Sequence, residues 1–599
     1  MPKPELDKLA AELEAHLGDP HDPASRMPFE RILDHDEREE YPYPFVNLLQ
    51  RWGVHEYNIP AAQGGRAGDV ETGFNLLRLV ARRDPTTATA LIITSLAFLP
   101  AWIAGTDEQK QYLVDAVKQG SRYAWGLSER NHGSDVLGNE LRADKVDGGY
   151  LLTGEKWLIG NARVADGLTV FARTKESGGP AGYSILLLEK RRTPAGSVEE
   201  LPNERLHGLR AIDMSGIRVD GVFVPNSARL GAEGAGLEIA LQTSQVARTL
   251  IGSIALSAVD TALRGTLDFT EHRVIFGRTV SDIPYSRRQL TECFADLMVA
   301  DAVSLGAVRS LQLVPEQASV WSSVAKYLVP TMLERTMSQL NVVLGARFYL
   351  RDDPHHGIHQ KMLRDLLVAN FADGNTVVNL KNLALQLDGL LAAAVEPPAG
   401  AADAAEERVA DLYGMDRPLP LYRPWDQELF SRGRDDALLA APASLAALRR
   451  LADGAGTAGR AEGDRLRRAA DTAAELLGRA PALHARSRTL KTGLGRAYGQ
   501  SAELFDLAKE YCLLHAVAAC LHTHVHSAAA MEDPLPSGAL LLLQLERLRR
   551  HWYPHEAVTT AADVDEVMAV LRRLHRGDRL FSHWQFRLAA RTGSRPGAC

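Results

Sequence analysis

The sequence predicts a mostly α-helical protein with a β-structured middle domain, and three observations carry that reading. Apolar residues recur at helical spacing through residues 1–123. Alternating runs punctuated by Gly and Pro replace them from 124 to 232. Long helical periodicity returns from 233 to about 390 and, beyond a Pro/Gly linker, continues through the rest of the 599 residues. The expected divisions are therefore 1–123, 124–232, 233–392 and 403–599, the last a further helical part.

In the first zone Leu9, Leu13 and Leu17 recur at four-residue spacing, and Phe74, Leu77, Leu79 and Val80 fit one helical face. Residues 88–105 are almost uncharged, but they carry Thr89, Thr94, Ser95 and Pro100 and are short for a bilayer. They read as a buried core helix, and no membrane span is expected. The second zone alternates with period two at 150–153, 168–171, 183–188 and 219–225, the pattern of an antiparallel barrel or sandwich. In the fourth, Leu466, Ala469, Ala470, Ala473, Leu476 and Leu477 share a face, a Gly-rich stretch at 453–459 divides the helices, and no 20–50-residue repeat is present.

Composition excludes several classes. Lys plus Arg (68) against Asp plus Glu (75) leaves a net charge of −7, which argues against nucleic acid or an anionic membrane as the main partner. Cys293, Cys512, Cys520 and Cys599 are too few and scattered for a disulfide framework, so a reducing cytoplasm is expected. His515, His522, His524 and His526 with Cys512 and Cys520 show no acidic partner and no compact ligand spacing, so they read as helix-packing residues and no metal is expected. Phosphate-binding, nicotinamide and serine-hydrolase signatures are absent.

The chemistry resides in two linked motifs. The stretch Leu127-Ser128-Glu129-Arg130-Asn131-His132-Gly133-Ser134-Asp135 is a small-residue loop rich in amides and hydroxyls, and Gly154-Glu155-Lys156-Trp157-Leu158-Ile159-Gly160-Asn161 is an alternating strand ending in a turn. Such a loop leaves backbone amides and hydroxyls free to meet a polar ligand. Together the motifs resemble the middle domain of the acyl-CoA dehydrogenase family. Asn58-Ile59-Pro60-Ala61-Ala62-Gln63-Gly64-Gly65 resembles that family's Ile-Pro-Glu-Glu-x-Gly-Gly turn, and Gly105-Thr106-Asp107-Glu108-Gln109-Lys110 its helix start. The resemblance implies N-terminal helices, a β-barrel and a four-helix bundle, with FAD as cofactor and a homodimer or homotetramer. It places Leu127, Ser128, Gly133, Ser134, Leu158 and Gly160 at the flavin, with Ser134 also toward substrate. Trp157 lies one residue before the family's Trp position, and Gly160 holds the place of its Thr. On a strand one residue means the opposite face, so either the register slips or the flavin loses an aromatic neighbour.

Further along, Arg273-Val274-Ile275-Phe276-Gly277-Arg278 resembles the family's Arg-x-x-Phe-Gly-Lys/Arg segment, which implies a pyrophosphate role for Arg273 and a cofactor contact for Phe276. Asn341 and Gly345 stand where the family helps hold the adenosine half. Lys361-Met362-Leu363-Arg364-Asp365 matches the Lys-Leu-x-Arg-Asp segment. Eight residues on, Asp373-Gly374-Asn375 occupies the place of the catalytic Glu-Gly-Thr. The resemblance makes Asp373 the base that takes the α-proton of an acyl thioester while β-hydride leaves for flavin N5. Gly374 then lies at substrate and Asn375 at cofactor. Asp is one methylene shorter than Glu, a withdrawal of roughly 1.5 Å. Arg248 matches the Asp-x-x-Arg segment that contacts the carrier arm, with Gln245 in place of the Asp, so both acyl-CoA and acyl-carrier protein remain as substrates. An electron-transfer partner or O2 would reoxidise the flavin. The alternatives are an oxidase of the same superfamily, acyl-CoA oxidase-like or nitroalkane oxidase-like, and a non-catalytic helical scaffold.

Overall fold

In the computed structural model the described residues are 1, 3–175, 179–353, 355–455, 460–532, 535 and 537–591. Cys599, and Gly456 to Gly459 of the Gly-rich stretch, lie outside them. The chain forms two compact units.

One unit comprises Arg31–Ala247 with Leu421–Leu429. Its helices begin where the sequence supplies caps. Asp69 accepts the Thr72 amide at 2.6 Å ahead of helix Val70–Ala81. Asp84 accepts the amides of Thr86 and Thr87 ahead of Pro85–Ala104, whose first residue is a proline that needs no partner for its missing N–H. Thr106 and Gln109 close a capping box on helix Asp107–Lys118. Helix Pro85–Ala104 is apolar all round, and its most hydrophobic window is 67% buried, as a core helix requires.

The period-two zone forms eight strands: β1 (Tyr123–Gly126), β2 (Arg142–Val146), β3 (Gly149–Gly160), β4 (Gly167–Arg173), β5 (Tyr183–Glu189), β6 (Val198–Leu201), β7 (Met214–Pro225) and β8 (Arg229–Leu230). They make one sheet in the order β6-β7-β3-β2-β4-β5-β8, with β1 parallel to β4. Alternate residues of these strands, among them Leu152, Leu168, Val170, Leu186, Leu188 and Ile217, meet in a single apolar core. Long β3 and β7 are the spine, and β3 carries the second motif at its C-terminal end.

The other unit comprises Met1–Glu30, Arg248–Pro420 and Phe430–Cys599. Helices Gly252–His272, Pro284–Leu313, Ala318–Leu344 and Thr376–Val395 pack on one another, and later α-helices, from Ala401–Tyr413 to Ala561–Arg576 among the described residues, build the extension. Ion pairs lock that extension onto the bundle. Arg547 forks onto Asp296 at 2.8 Å through two nitrogens and also reaches Glu292 at 3.1 Å. Asp268 is held by His575 at 2.9 Å and by Arg591 at 2.9 Å. The histidine cluster is packed too. His515 bonds Asp435 at 2.9 Å, and His522 lies between Ser444 and the Ala437 carbonyl at 2.8 Å each. The sequence reading gave the cluster no acidic partner. Asp435 is one, lying 80 residues away in the chain.

The Asp268–His575 contact makes the docking pH-sensitive. Burial pushes His575 below its ordinary 6.5 although Asp268 opposes that shift. Burial raises Asp268, but His575 and Arg591 hold its carboxyl well below 3.8. Each group binds fewer protons folded than unfolded, so stability is lost as pH falls, first below about 6.5 and again below about 4. Urea midpoints of the wild type should fall between pH 8 and pH 5, and the slope should flatten in His575→Gln. An equal slope in that variant would remove the contact as its source.

Candidate active site

In the β-containing unit the two motifs are joined by a buried ion pair. Glu129, in the loop after β1, accepts the amides of Glu140 at 2.6 Å and Leu141 at 3.0 Å and receives the Lys156 ammonium at 2.8 Å. Lys156 on β3 is 0% exposed and also donates to the Asn139 side chain at 2.6 Å and the Leu127 carbonyl at 3.1 Å. Burial pushes its ammonium down to about 8, with Glu129 acting in the opposite direction. Asn161 then ties the end of the motif to helix Pro85–Ala104, donating to the Ala90 carbonyl at 2.9 Å. Glu129 and Lys156 both stand in the two motifs, but their spacing does not mark them as a pair, because Arg130, His132, Asp135 and Glu155 also carry ionisable side chains there.

A bulge interrupts β3 beside Trp157. Trp157 pairs with Gly216 and Ile159 with Ser215, so Leu158 is the extra residue, and it sits at φ +59°. The Trp157 indole donates to Glu204 at 2.8 Å, and the Arg130 guanidinium lies over its ring at 4.5 Å from the centroid. Gly160, where the family has Thr, is pressed by a neighbour: a Cβ there would meet Ile93 Cδ1 at 2.3 Å. A larger residue there would require the end of the Ile93 side chain to move. Ser128 donates its hydroxyl to the Trp157 carbonyl at 3.2 Å, while Gly133 and Ser134 are exposed, and a Cβ on Gly133 would meet nothing within 4 Å.

In the helical unit Arg248, Asp373 and Gly374 come together. Helix Val368–Phe371 ends at Ala372, and the chain passes through two left-handed residues, Asp373 at φ +55° and Gly374 at φ +94°. A non-glycine residue there is strained by about 1–2 kcal/mol. Arg248, 8% exposed, donates through Nε to the Asp373 carbonyl at 3.2 Å and lies 3.3 Å from where a Gly374 Cβ would stand, and the φ of +94° favours glycine there. Asn375 caps the next helix, Thr376–Val395, by accepting the Val378 amide at 2.9 Å. Burial raises the Asp373 carboxyl above its ordinary 3.8, with Lys326 and Arg248 opposing it. Burial pushes Lys326 down to about 7 and Arg248 down to about 10. Lys326 escaped the sequence reading. A lysine between Val324, Ala325, Leu328 and Val329 on an apolar helix was its signal.

Asn341 accepts from His359 Nε2 at 2.7 Å, and Gly345 begins a short turn at φ +64°. Arg273 and Phe276 lie on a tight hairpin formed by Val274–Ile275 and Arg278–Thr279. Phe276, at its tip, has φ +51° and is 96% exposed. Arg273 is exposed and makes no ion pair among the described residues. Within the β-containing unit, the hydroxyls and amides at 127–134 are donors of the kind a flavin ring edge takes. Within the helical unit, the exposed Arg273 guanidinium is of the kind a phosphate takes.

Three family profiles match in chain order: Acyl-CoA dehydrogenase, N-terminal domain, at residues 24–121; middle domain at 124–222; and C-terminal domain at 234–387. An acyl-CoA dehydrogenase of Bacillus subtilis is 30% identical over 248 residues, 41% of this chain and 65% of the relative, so the match spans just under two thirds of that protein. The cyclohex-1-ene-1-carbonyl-CoA dehydrogenase of Geobacter metallireducens is 27% identical over 62% of this chain and 97% of its own length. The fold of a Bacillus anthracis acyl-CoA dehydrogenase, solved in complex with FAD, superposes at a TM-score of 0.68 and 16% identity, covering 96% of this chain and 95% of that one. That coverage takes in the helical extension, for which the sequence offered no motif.

Proposed function

The chain belongs to the acyl-CoA dehydrogenase family of FAD-dependent oxidoreductases, and from that premise we propose that it introduces an α,β double bond into an acyl thioester with Asp373 as the base. The observation that supports this most is the Asp373 turn: a carboxyl raised by burial, carried on a left-handed residue, with its own carbonyl anchored by Arg248. A base for a weakly acidic α-proton has to be raised in this way yet remain ionised at working pH. Arg248 and Gly374 position the turn, Arg273 and Phe276 serve the cofactor from the hairpin, and the 127–134 loop with Leu158 and Gly160 serves the flavin. Bound FAD supplies the acceptor for the two electrons. The proton passes from the substrate α-carbon to an Asp373 carboxylate oxygen, and the backbone amides of that turn are available to polarise the thioester carbonyl. The substrate is an acyl group on CoA or on a carrier protein, and Gln245 in place of an acid leaves both open.

The test is anaerobic: FAD-loaded protein mixed with a panel of acyl-CoA and acyl-carrier thioesters, followed by flavin absorbance. Bleaching by one class names the carrier. Peroxide release at turnover rates under air would make the enzyme an oxidase. A flavin that no thioester bleaches would overturn the reading.

A further inference from the structure

We propose that Lys326 is a positioning residue for the Asp373 carboxylate, pinning the backbone that leads into the left-handed turn and placing a positive charge behind the acid. This rests on the reading of Asp373 as base. Lys326 is 1% exposed on helix Ala318–Leu344, and its ammonium donates to the Ala369 carbonyl at 2.8 Å and to the Ala372 carbonyl. Those carbonyls belong to the end of helix Val368–Phe371 and its cap, where unsatisfied acceptors and a negative dipole end call for a cation. The same short helix makes a second tie at the next residue, with Asn370 donating to Glu334 at 2.8 Å. The segment before Asp373 is therefore held at two points. Across the turn Arg248 holds the Asp373 carbonyl. Among the described residues neither cation pairs directly with the carboxylate, so both oxygens stay available to a substrate while two positive charges act on them.

These two are the charged groups that act on Asp373. Of the other ionisable residues on the neighbouring helices, Lys361 pairs with Asp365, Arg364 donates to Gln360, Glu334 takes Asn370, and Arg335 is exposed. Helix Thr376–Val395 carries no acid in its first turn. A buried lysine that makes no ion pair among the described residues is costly to keep, and in this turn it does what a cap of neutral donors cannot, because it offsets the rise that burial gives the base.

The experiment uses the full-length, FAD-loaded enzyme and the thioester that reduces it, with anaerobic reduction rates followed across pH. A base must be ionised to act, so loss of the cation moves the acidic limb upward. Lys326→Met should shift that limb up by about one pH unit at unchanged FAD content, and Lys326→Arg should bring it back. A Lys326→Met limb that coincides with the wild type overturns the proposal. Where Lys326→Met fails to fold, infrared spectra of the unmodified protein decide, with Asp373→Asn as the difference reference. The carboxylic-acid band that this reference removes should vanish below neutral pH, and its persistence above neutral pH overturns the proposal. Flavin reduction surviving in Asp373→Asn would sink the base reading alone, because the infrared result does not depend on turnover.

Discussion

Asp373→Asn is expected to lower substrate-driven flavin reduction by about 10²–10⁴-fold while leaving FAD bound, since that is the range a positioned general base contributes. The substitution is nearly isosteric and removes only the ability to accept a proton. The turn itself should survive, because its anchors are main-chain groups: Arg248 bonds the Asp373 carbonyl, and Lys326 bonds the Ala369 and Ala372 carbonyls. Asparagine also tolerates the left-handed conformation at φ +55° better than most residues, so the strain term changes little. Asp373→Glu is the informative companion. It restores the longer side chain of the family, and if this pocket has closed around the shorter acid, the added methylene misplaces the carboxylate by roughly 1.5 Å and costs activity instead of raising it. The measurement is single-turnover flavin bleaching with the best thioester from the panel, with flavin content determined after denaturation. Bleaching at wild-type rates in Asp373→Asn would take the residue out of the mechanism.

The sequence revealed whatever is decided locally. Turn residues and period-two runs lie within a few positions of one another, so the helix start at 105–110 and the existence of a strand-rich middle zone were legible in the sequence. Pairings between distant segments stayed hidden. The bulge at Leu158 is a property of the β3–β7 register, which only the partner strand fixes. Asp435 reaches His515 across 80 residues, and Lys326 precedes its Ala369 acceptor by 43, distances at which spacing carries no signal. The extension went unread for a similar reason. Its attachment depends on single arginines and histidines, such as Arg547 on Asp296, which look like ordinary surface charge until their partners are known.

The second large effect concerns the tether between the two motifs, where Lys156→Met should cost about 3–5 kcal/mol of stability and reduce FAD retention. Methionine fills the lysine's volume, so the loss is electrostatic. Glu129, 7% exposed, would keep its bonds from the Glu140 and Leu141 amides but lose the only cation paired with it among the described residues. A buried carboxylate in that state is far worse than a pair of apolar or neutral groups. Three attachments would be lost at once, at Leu127, Glu129 and Asn139, and these lie at both ends of the loop that carries Ser128, Gly133 and Ser134. The loop would then be free to leave the geometry a ligand needs, which couples the stability loss to cofactor loss. Adding Glu129→Gln to Lys156→Met removes the orphaned charge while keeping an acceptor for one of the amides, so the double variant should recover much of the stability. Its FAD occupancy should stay low, because the Leu127 and Asn139 bonds remain absent. Denaturant midpoints and released flavin per mole, measured on both variants, separate the two effects. Full occupancy in Lys156→Met, with a midpoint near that of the wild type, would mean the pair does not hold the loop.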